Sequence, residues 1–203
     1  MSASPIVYIV DDEPSGREAV ASLVTEMGVE ARTYESAEDF RSAYKGERPG
    51  CLVTDVRMLR MSGLELQDAL ADRGITLAVV VVTAFADTPV TVRAIKAGAV
   101  TLLEKPCGPL ELWDAIRSGL AEDEQNYEIE QRRAAVVARW ESLSPAERDV
   151  LERIVAGDAN KQIANHLDIS IRTVEVRRQQ VFQKMEADSV AQLVRMALEL
   201  NPN

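Results

Sequence analysis

Two domains are predicted from the sequence: an α/β domain built on a doubly wound, five-stranded parallel sheet, and, beyond a helical linker, an all-α domain. Three observations predict this. Four apolar, β-prone runs (Ile6 to Val10, Cys51 to Thr54, Leu77 to Val82 and Val100 to Leu103) each stop abruptly at polar residues, as buried parallel strands do at a sheet edge. Helical periodicities separate those runs. After Leu120 the Gly and Pro punctuation ceases, until Ser144-Pro145-Ala146-Glu147 opens a series of short helices.

The 203 residues carry a formal net charge of -10, which argues against a protein that coats nucleic acid nonspecifically, although a local basic face can survive in an acidic chain. Cys51 and Cys107 have no metal-ligand spacing, and the single His166 is far away, so both read as reduced thiols of a cytoplasmic protein. No apolar run approaches the roughly 18 residues needed to span a bilayer, and no basic segment followed by an apolar core opens the chain. Neither export nor membrane insertion is expected.

Taken in order, the strand Ile6 to Val10 leads to Pro14 at a first helical position, then to Val20, Leu23, Val24 and Met27 on one helix face, with Gly28 as the stop. A weaker strand, Val29 to Tyr34, precedes a helix capped by Ser36 that carries Phe40 and Tyr44. Gly46, Pro49 and Gly50 punctuate before the third strand, and Leu66, Ala69 and Leu70 mark the helix after it. Leu77 to Val82 is apolar at consecutive positions, the mark of a central strand buried on both faces. A helix from about Thr88 to Ala97, the strand Val100 to Leu103 and a helix with Trp113, Ile116 and Leu120 complete five βα units.

The carboxyl ends of parallel strands open onto one crevice, which gathers Asp11, Asp12, Asp55, Thr83 and Lys105. Three converging carboxylates repel one another unless a hard cation takes their oxygens, and Mg²⁺ is the natural candidate. Lys105 adds a fixed positive charge and Thr83 a neutral donor, both suited to an incoming anion. This set describes a phosphoryl acceptor, with Asp55 as nucleophile and the other groups stabilising charge on the phosphoryl oxygens. Singly, Asp55 would read as a turn residue, Lys105 as a solvated charge and Thr83 as a β-former; five such residues at matching strand ends reverse that reading.

Residues 4 to 121 resemble the flavodoxin-like receiver domain of two-component response regulators: Asp11-Asp12 after the first strand, Asp55 after the third, Thr83 after the fourth and Lys105-Pro106 after the fifth. The resemblance implies phosphorylation at Asp55 by a histidine kinase. It implies Mg²⁺ held by Asp12, Asp55 and the Arg57 carbonyl, with Asp11 acting through water. Thr83 and Lys105 would lie on the phosphoryl group, and the bond before Pro106 would be cis. Three positions depart from the family pattern: Leu59 stands where proline is usual, Leu102 where a switch aromatic accompanies Thr83, and Cys107 where Phe is common. Phe85 and Arg57, each two residues past a site residue, flank the site, and a bulky Phe85 would restrict water there.

Residues 122 to 142 read as a helical linker, with Ile129, Val136 and Leu143 seven apart as a narrow apolar stripe for docking or pairing. A mostly solvated connector is the alternative. Its acidic start, Glu122-Asp123-Glu124, would repel DNA, against which Arg132 and Arg133 stand. From residue 143 onward, one helix is capped by Ser144 and ends at Gly157, and a second is capped by Asn160, carrying Ile163, Ala164 and Leu167. After a turn at Asp168 and Ile169, a third helix capped by Ser170 runs from Ile171 to Met185 with Val174, Val181 and Met185 inward. A fourth, capped by Ser189, is expected to bury Val190, Leu193, Val194 and Ala197.

Residues 140 to 203 hold eight Lys or Arg against ten Asp or Glu, yet residues 171 to 185 hold four against one, so positive charge is concentrated on one helix. Arg172, Arg177, Arg178 and Lys184 can reach phosphates, Glu175 can accept from a cytosine amino group, and Arg178 or Gln179 can read a purine edge. Residues 144 to about 200, within a DNA-binding domain expected over 143 to 203, resemble the LuxR-type helix-turn-helix of the FixJ/NarL class. The matching stretches are Leu143 to Arg148, Ala156-Gly157, Asn160 to Ala164 and Ser170 to Val176. By that resemblance the third helix enters the major groove, Thr173 joins the contacts and Lys184 anchors a phosphate. Asp168 and Glu186 stand where Gly is frequent, and Arg177 where His is. The expected protein is a transcriptional regulator, not an enzyme, switched by phosphorylation of Asp55 and by receiver homodimerisation through Thr88 to Leu120, which places two reading helices on operator DNA. A phosphorylation-independent regulator is the alternative suggested by Leu59 and Leu102. A phosphatase using Asp55 lacks an acid two residues later, where Arg57 stands.

Overall fold

A computed structural model describes residues 4–200; residues 201–203 of the predicted DNA-binding domain lie outside it. The chain divides into two compact units, Met1–Glu128 and Ile129–Asn203.

In the first unit, strands β1 (Ile6–Val10), β2 (Glu30–Tyr34), β3 (Gly50–Thr54), β4 (Ala78–Thr83) and β5 (Ala99–Glu104) form one parallel sheet in the order β2-β1-β3-β4-β5. Strands β1, β3 and β4 are buried at every residue because helices cover both faces. Edge strand β2 is half exposed, which explains its weak apolar signal. The intervening helices are α1 (Pro14–Glu26), α2 (Ala37–Ala43), α3 (Gly63–Ala71) and α4 (Thr88–Lys96). One face of the sheet packs an aromatic cluster of Tyr8, Tyr34, Phe40 and Tyr44 edge-on or tilted at 5.2–5.5 Å. The other face carries Val7, Ile9, Val53, Val80 and Val82 under Val24, Leu112 and Ile116. Met27, placed on the inner face of α1 by periodicity, instead lies just past the helix end and is exposed.

After β5 the sequence suggests two helices, meeting near Leu120. The structure has one, α5 (Pro109–Glu141), because nothing between these residues breaks helical hydrogen bonding. Its seven-residue stripe is not a continuous seam: Ile129 is exposed, Val136 is buried, and Leu143 lies beyond the helix end.

The second unit contains the rest of α5 with α6 (Pro145–Val155), α7 (Asn160–Leu167), α8 (Ile171–Met185) and α9 (Val190–Leu200). Ser144 and Glu147 form the predicted reciprocal cap on α6. On α7 the cap moves by one residue: Asn160 is the first helical residue, and Gln162 accepts from the N–H of Ala159. Val174, Val181 and Met185 of α8 are fully buried, as the periodicity requires. The inner face of α9 is Leu193 and Met196 rather than the expected four residues, since Val190 is exposed in the first turn and Val194 and Ala197 flank the buried line. Asp168 and Glu186 end α7 and α8 in the left-handed region, with φ 50° and 52°. That conformation accounts for the glycine frequent there in the resembled family.

Candidate functional site

The residues predicted to converge do so unequally. Lys105 Nζ donates to Asp11 Oδ2 and Asp55 Oδ2, each at 2.8 Å, so one ammonium bridges the ends of β1 and β3 from the end of β5. Burial works against the charge on Lys105, but the hydrogen bonds and negative charge of Asp11 and Asp55 outweigh it and hold its pKa above the ordinary lysine value. Asp11 is buried and its second oxygen accepts from the Glu13 N–H at 2.8 Å. The second oxygen of Asp55 accepts from the Arg57 N–H at 3.0 Å. Asp12 turns toward the following loop, where its Oδ2 accepts from the N–H of Leu59 at 2.9 Å. Among the described residues no three acidic, imidazole or thiol side chains are grouped as a metal cage. The carboxylates of Asp11 and Asp55 nonetheless share a cation already, and the nearby donors are all hard oxygens, which suits Mg²⁺ chemistry.

Thr83 is fully buried, and its Oγ1 accepts from the Phe85 N–H at 3.3 Å. Leu102 is partly buried against the core on the aromatic side of the sheet. The Arg57 guanidinium stacks on the Phe85 ring, 3.4 Å from its centroid, while Phe85 stays 46% exposed. The Lys105-Pro106 bond is cis, and so is Arg48-Pro49.

Several contributors escaped the sequence reading. Gly63 opens α3 against the chain that follows β3: a Cβ there would fall 2.1 Å from the Asp55 carbonyl oxygen. Arg17 Nη1 donates to the Asp11 carbonyl at 2.6 Å, tying α1 to the site. A lone Gly at a helix start and an Arg on a helix carry no local sign of these roles.

On α8, Arg172, Glu175 and Gln179 are exposed and Arg177 and Arg178 half-buried, with Arg178 6.0 Å from the Phe182 ring centroid. The Thr173 and Ser170 hydroxyls lie 2.7 Å apart within the cap. Val176, absent from the predicted contacts, is 50% exposed among these residues. Lys184 is not the free cation the sequence suggests. Its Nζ donates to Glu147 Oε2 at 2.7 Å and to the Ser142 carbonyl at 3.3 Å, which leaves one of its three N–H donors. The Lys184 bond, more than the opposing burial, holds the Glu147 carboxyl below the usual glutamate range.

The family model for the response regulator receiver domain matches residues 7–117, and that for bacterial regulatory proteins of the luxR family matches residues 141–197. The chain belongs to the two-component response regulators. This regulator is 43% identical to the transcriptional regulatory protein FixJ of Azorhizobium caulinodans, over 98% of its own length and 94% of that protein. It is 38% identical to the response regulator protein TodT of Pseudomonas putida, over 96% and 86% respectively. Among solved structures, the response regulator StyR superposes with a TM-score of 0.87 at 38% identity, covering 96% of this chain and 98% of that one. The crystal structure of FixJ-N gives 0.55 at 39% identity, covering 60% and 96%. The regulator therefore acts on transcription through a LuxR-type DNA-binding domain and is not a classical enzyme, which removes the phosphatase reading. Membership implies a kinase partner and a DNA target. No helix among the described residues is long and apolar enough to cross a membrane.

Proposed function

We propose that a histidine kinase transfers a phosphoryl group to Asp55, and that the phosphorylated receiver dimerises to set two α8 helices on adjacent operator half-sites. The observation that carries this reading is the Lys105 ammonium shared by Asp11 and Asp55 at 2.8 Å. It pairs a carboxylate nucleophile with a fixed cation at one sheet edge.

In the reaction, an Asp55 carboxylate oxygen attacks phosphorus and the bond from phosphorus to the donor breaks, leaving an acyl phosphate. No general base is required, because the carboxylate is already ionised. Lys105 holds positive charge beside the incoming oxygens, and the Thr83 hydroxyl has its own hydrogen available as a donor. Asp11, Asp12, Asp55 and the Arg57 carbonyl would hold Mg²⁺, which supplies charge neutralisation at the phosphoryl group when bound. Leu102, beside Thr83 in the family's switch pattern, takes the aromatic's place with an aliphatic side chain.

The receiver spans residues 4–121, the helical linker 122–142 and the DNA-binding domain 143–203. Dimerisation uses the face from Thr88 to Leu120, where Val92 and Ile95 of α4 are exposed. Arg172, Arg177, Arg178 and the remaining donor of Lys184 contact phosphates, while Thr173, Glu175 and Gln179 meet base edges. The test measures molecular mass and operator-fragment binding with and without beryllium fluoride plus Mg²⁺, on the wild type and Asp55→Asn. A dimer with tighter DNA binding only in treated wild type is expected. Equal mass and affinity in every sample would favour the phosphorylation-independent regulator, with Leu59 and Leu102 the first residues to revert.

A further inference from the structure

The acidic start of the linker contains a residue that is not a surface charge. Asp123 of α5 is completely buried, six residues past the end of the receiver family match. Its carboxylate accepts four hydrogen bonds: from Arg48 Nη2 at 2.8 Å and Ala78 N at 3.3 Å on Oδ1, and from Arg48 Nε at 3.1 Å and Gly50 N at 2.7 Å on Oδ2. The Arg48 side chain is 7% exposed, donates from Nη1 to Thr76 Oγ1 at 3.0 Å, and lies 5.3 Å from the ring centroid of Tyr127, one turn further along α5. One turn before Asp123, α5 runs so close to the sheet that a Cβ on Gly119 would fall 2.8 Å from Cys51 Sγ. The face of α5 that packs on the receiver therefore continues from Leu112 and Ile116 through Gly119 and Asp123 to Tyr127.

The two backbone donors matter most. Gly50 opens β3, the strand that leads into Asp55, and Ala78 opens β4, the strand that ends in Thr83. One carboxylate on the helix thus holds the amino ends of the two strands whose carboxyl ends carry the proposed nucleophile and hydroxyl. Buried charges are tolerated only when fully paired, and this one is satisfied on both oxygens, so its geometry is strongly specified.

We infer that Asp123 and Arg48 are positioning residues for the phosphorylation switch, making the helix through Tyr127 part of the receiver's cooperative unit and joining its placement to strands β3 and β4. This inference rests on the proposed switch at Asp55. Asp123→Asn weakens the join, because an amide offers one acceptor where the site holds four donors. The double variant Arg48→Met/Asp123→Leu removes both charges and restores apolar packing, but it cannot bond Gly50 or Ala78.

The test uses the full chain and two readouts. The first is amide hydrogen exchange without phosphate. In Asp123→Asn, exchange over residues 120–127 should rise about tenfold, and in the double variant the Gly50 and Ala78 amides should exchange faster by a similar factor. The second is the ratio of operator affinities with and without beryllium fluoride plus Mg²⁺. A wild-type ratio in the usual allosteric range of about 5 to 150 should fall toward 1 in the double variant even though it is folded. Unchanged exchange, or a wild-type ratio retained by the double variant, overturns the inference. If the wild type itself shows no dependence on the mimic, the switch at Asp55 fails, and hydrogen exchange alone decides whether Asp123 holds the helix.

Discussion

Asp55 is surrounded by residues whose parts can be separated by substitution. The Arg57 guanidinium lies on the Phe85 ring, and since these residues stand two positions past Asp55 and Thr83 the pair would form a partial cover beside the proposed acceptor. Phe85→Ala should open that cover to water and speed loss of the acyl phosphate several-fold, measured as decay of phosphoprotein after removal of the donor; an unchanged decay rate would exclude the shielding role. Gly63 is constrained sterically. Gly63→Ala would drive a methyl group into the Asp55 carbonyl and the Thr54 hydroxyl, at 2.1 and 2.8 Å. A loss of about 1–3 kcal/mol is expected from overpacking, read as a lower midpoint in denaturant, together with slower phosphorylation as Asp55 shifts. At the end of α7, Asp168 holds φ 50°. Asp168→Gly should relieve that conformation and stabilise the second unit by about 0.5–1 kcal/mol, visible as a raised melting temperature.

Among the elements, α6 and α8 are joined by the Glu147–Lys184 pair, in which Glu147 also caps its own helix. A carboxyl whose pKa is lower in the folded than in the unfolded protein contributes stability that is fully present above the unfolded value, about 4.3, and is lost as pH falls through the folded value. The melting temperature of the wild type should therefore exceed that of Glu147→Gln by a constant margin above about pH 5.5, and the margin should shrink as pH falls below the unfolded value and through the lower folded one. A margin independent of pH would mean that the carboxylate charge is not what joins the helices. Helix α5 illustrates a different rule: the apolar heptad pattern pointed to Ile129, yet the buried side chain in the linker's first turns is Asp123. Periodicity searches count apolar residues and pass over a carboxylate that is buried because Arg48, Gly50 and Ala78 satisfy it.

For the whole molecule, a formal charge of -10 must coexist with binding to a polyanion. If Arg172, Arg177 and Arg178 of α8, with the remaining donor of Lys184, make the proposed phosphate contacts, they offset this charge locally, and operator affinity should fall steeply with salt. Replacing Arg177 with Ala should reduce the slope of log affinity against log salt by about 1 if it contacts one phosphate. An unchanged slope would place Arg177 off the backbone.

The order of strands and helices, apart from the fusion of the last receiver helix with the linker into α5, the convergence of Asp11, Asp55 and Lys105, and the caps at Ser36, Ser144 and Ser170 were legible in the sequence. Each depends on local patterning: an apolar run ending in a charge, or a hydroxyl ahead of a helical period. The inner face of α8 was legible for the same reason. What could not be read locally came from contacts between different elements or loops of the fold. Asp12 meets Leu59, Gly63 meets Asp55, Lys184 meets Glu147, and Asp123 meets Arg48. Whether a charged side chain is solvated, paired or buried depends on which donors the packed fold brings to it, and no spacing along the chain encodes that. Chain pattern thus specifies which elements form and which chemistry they carry, whereas tertiary packing selects the charges that hold the structure together.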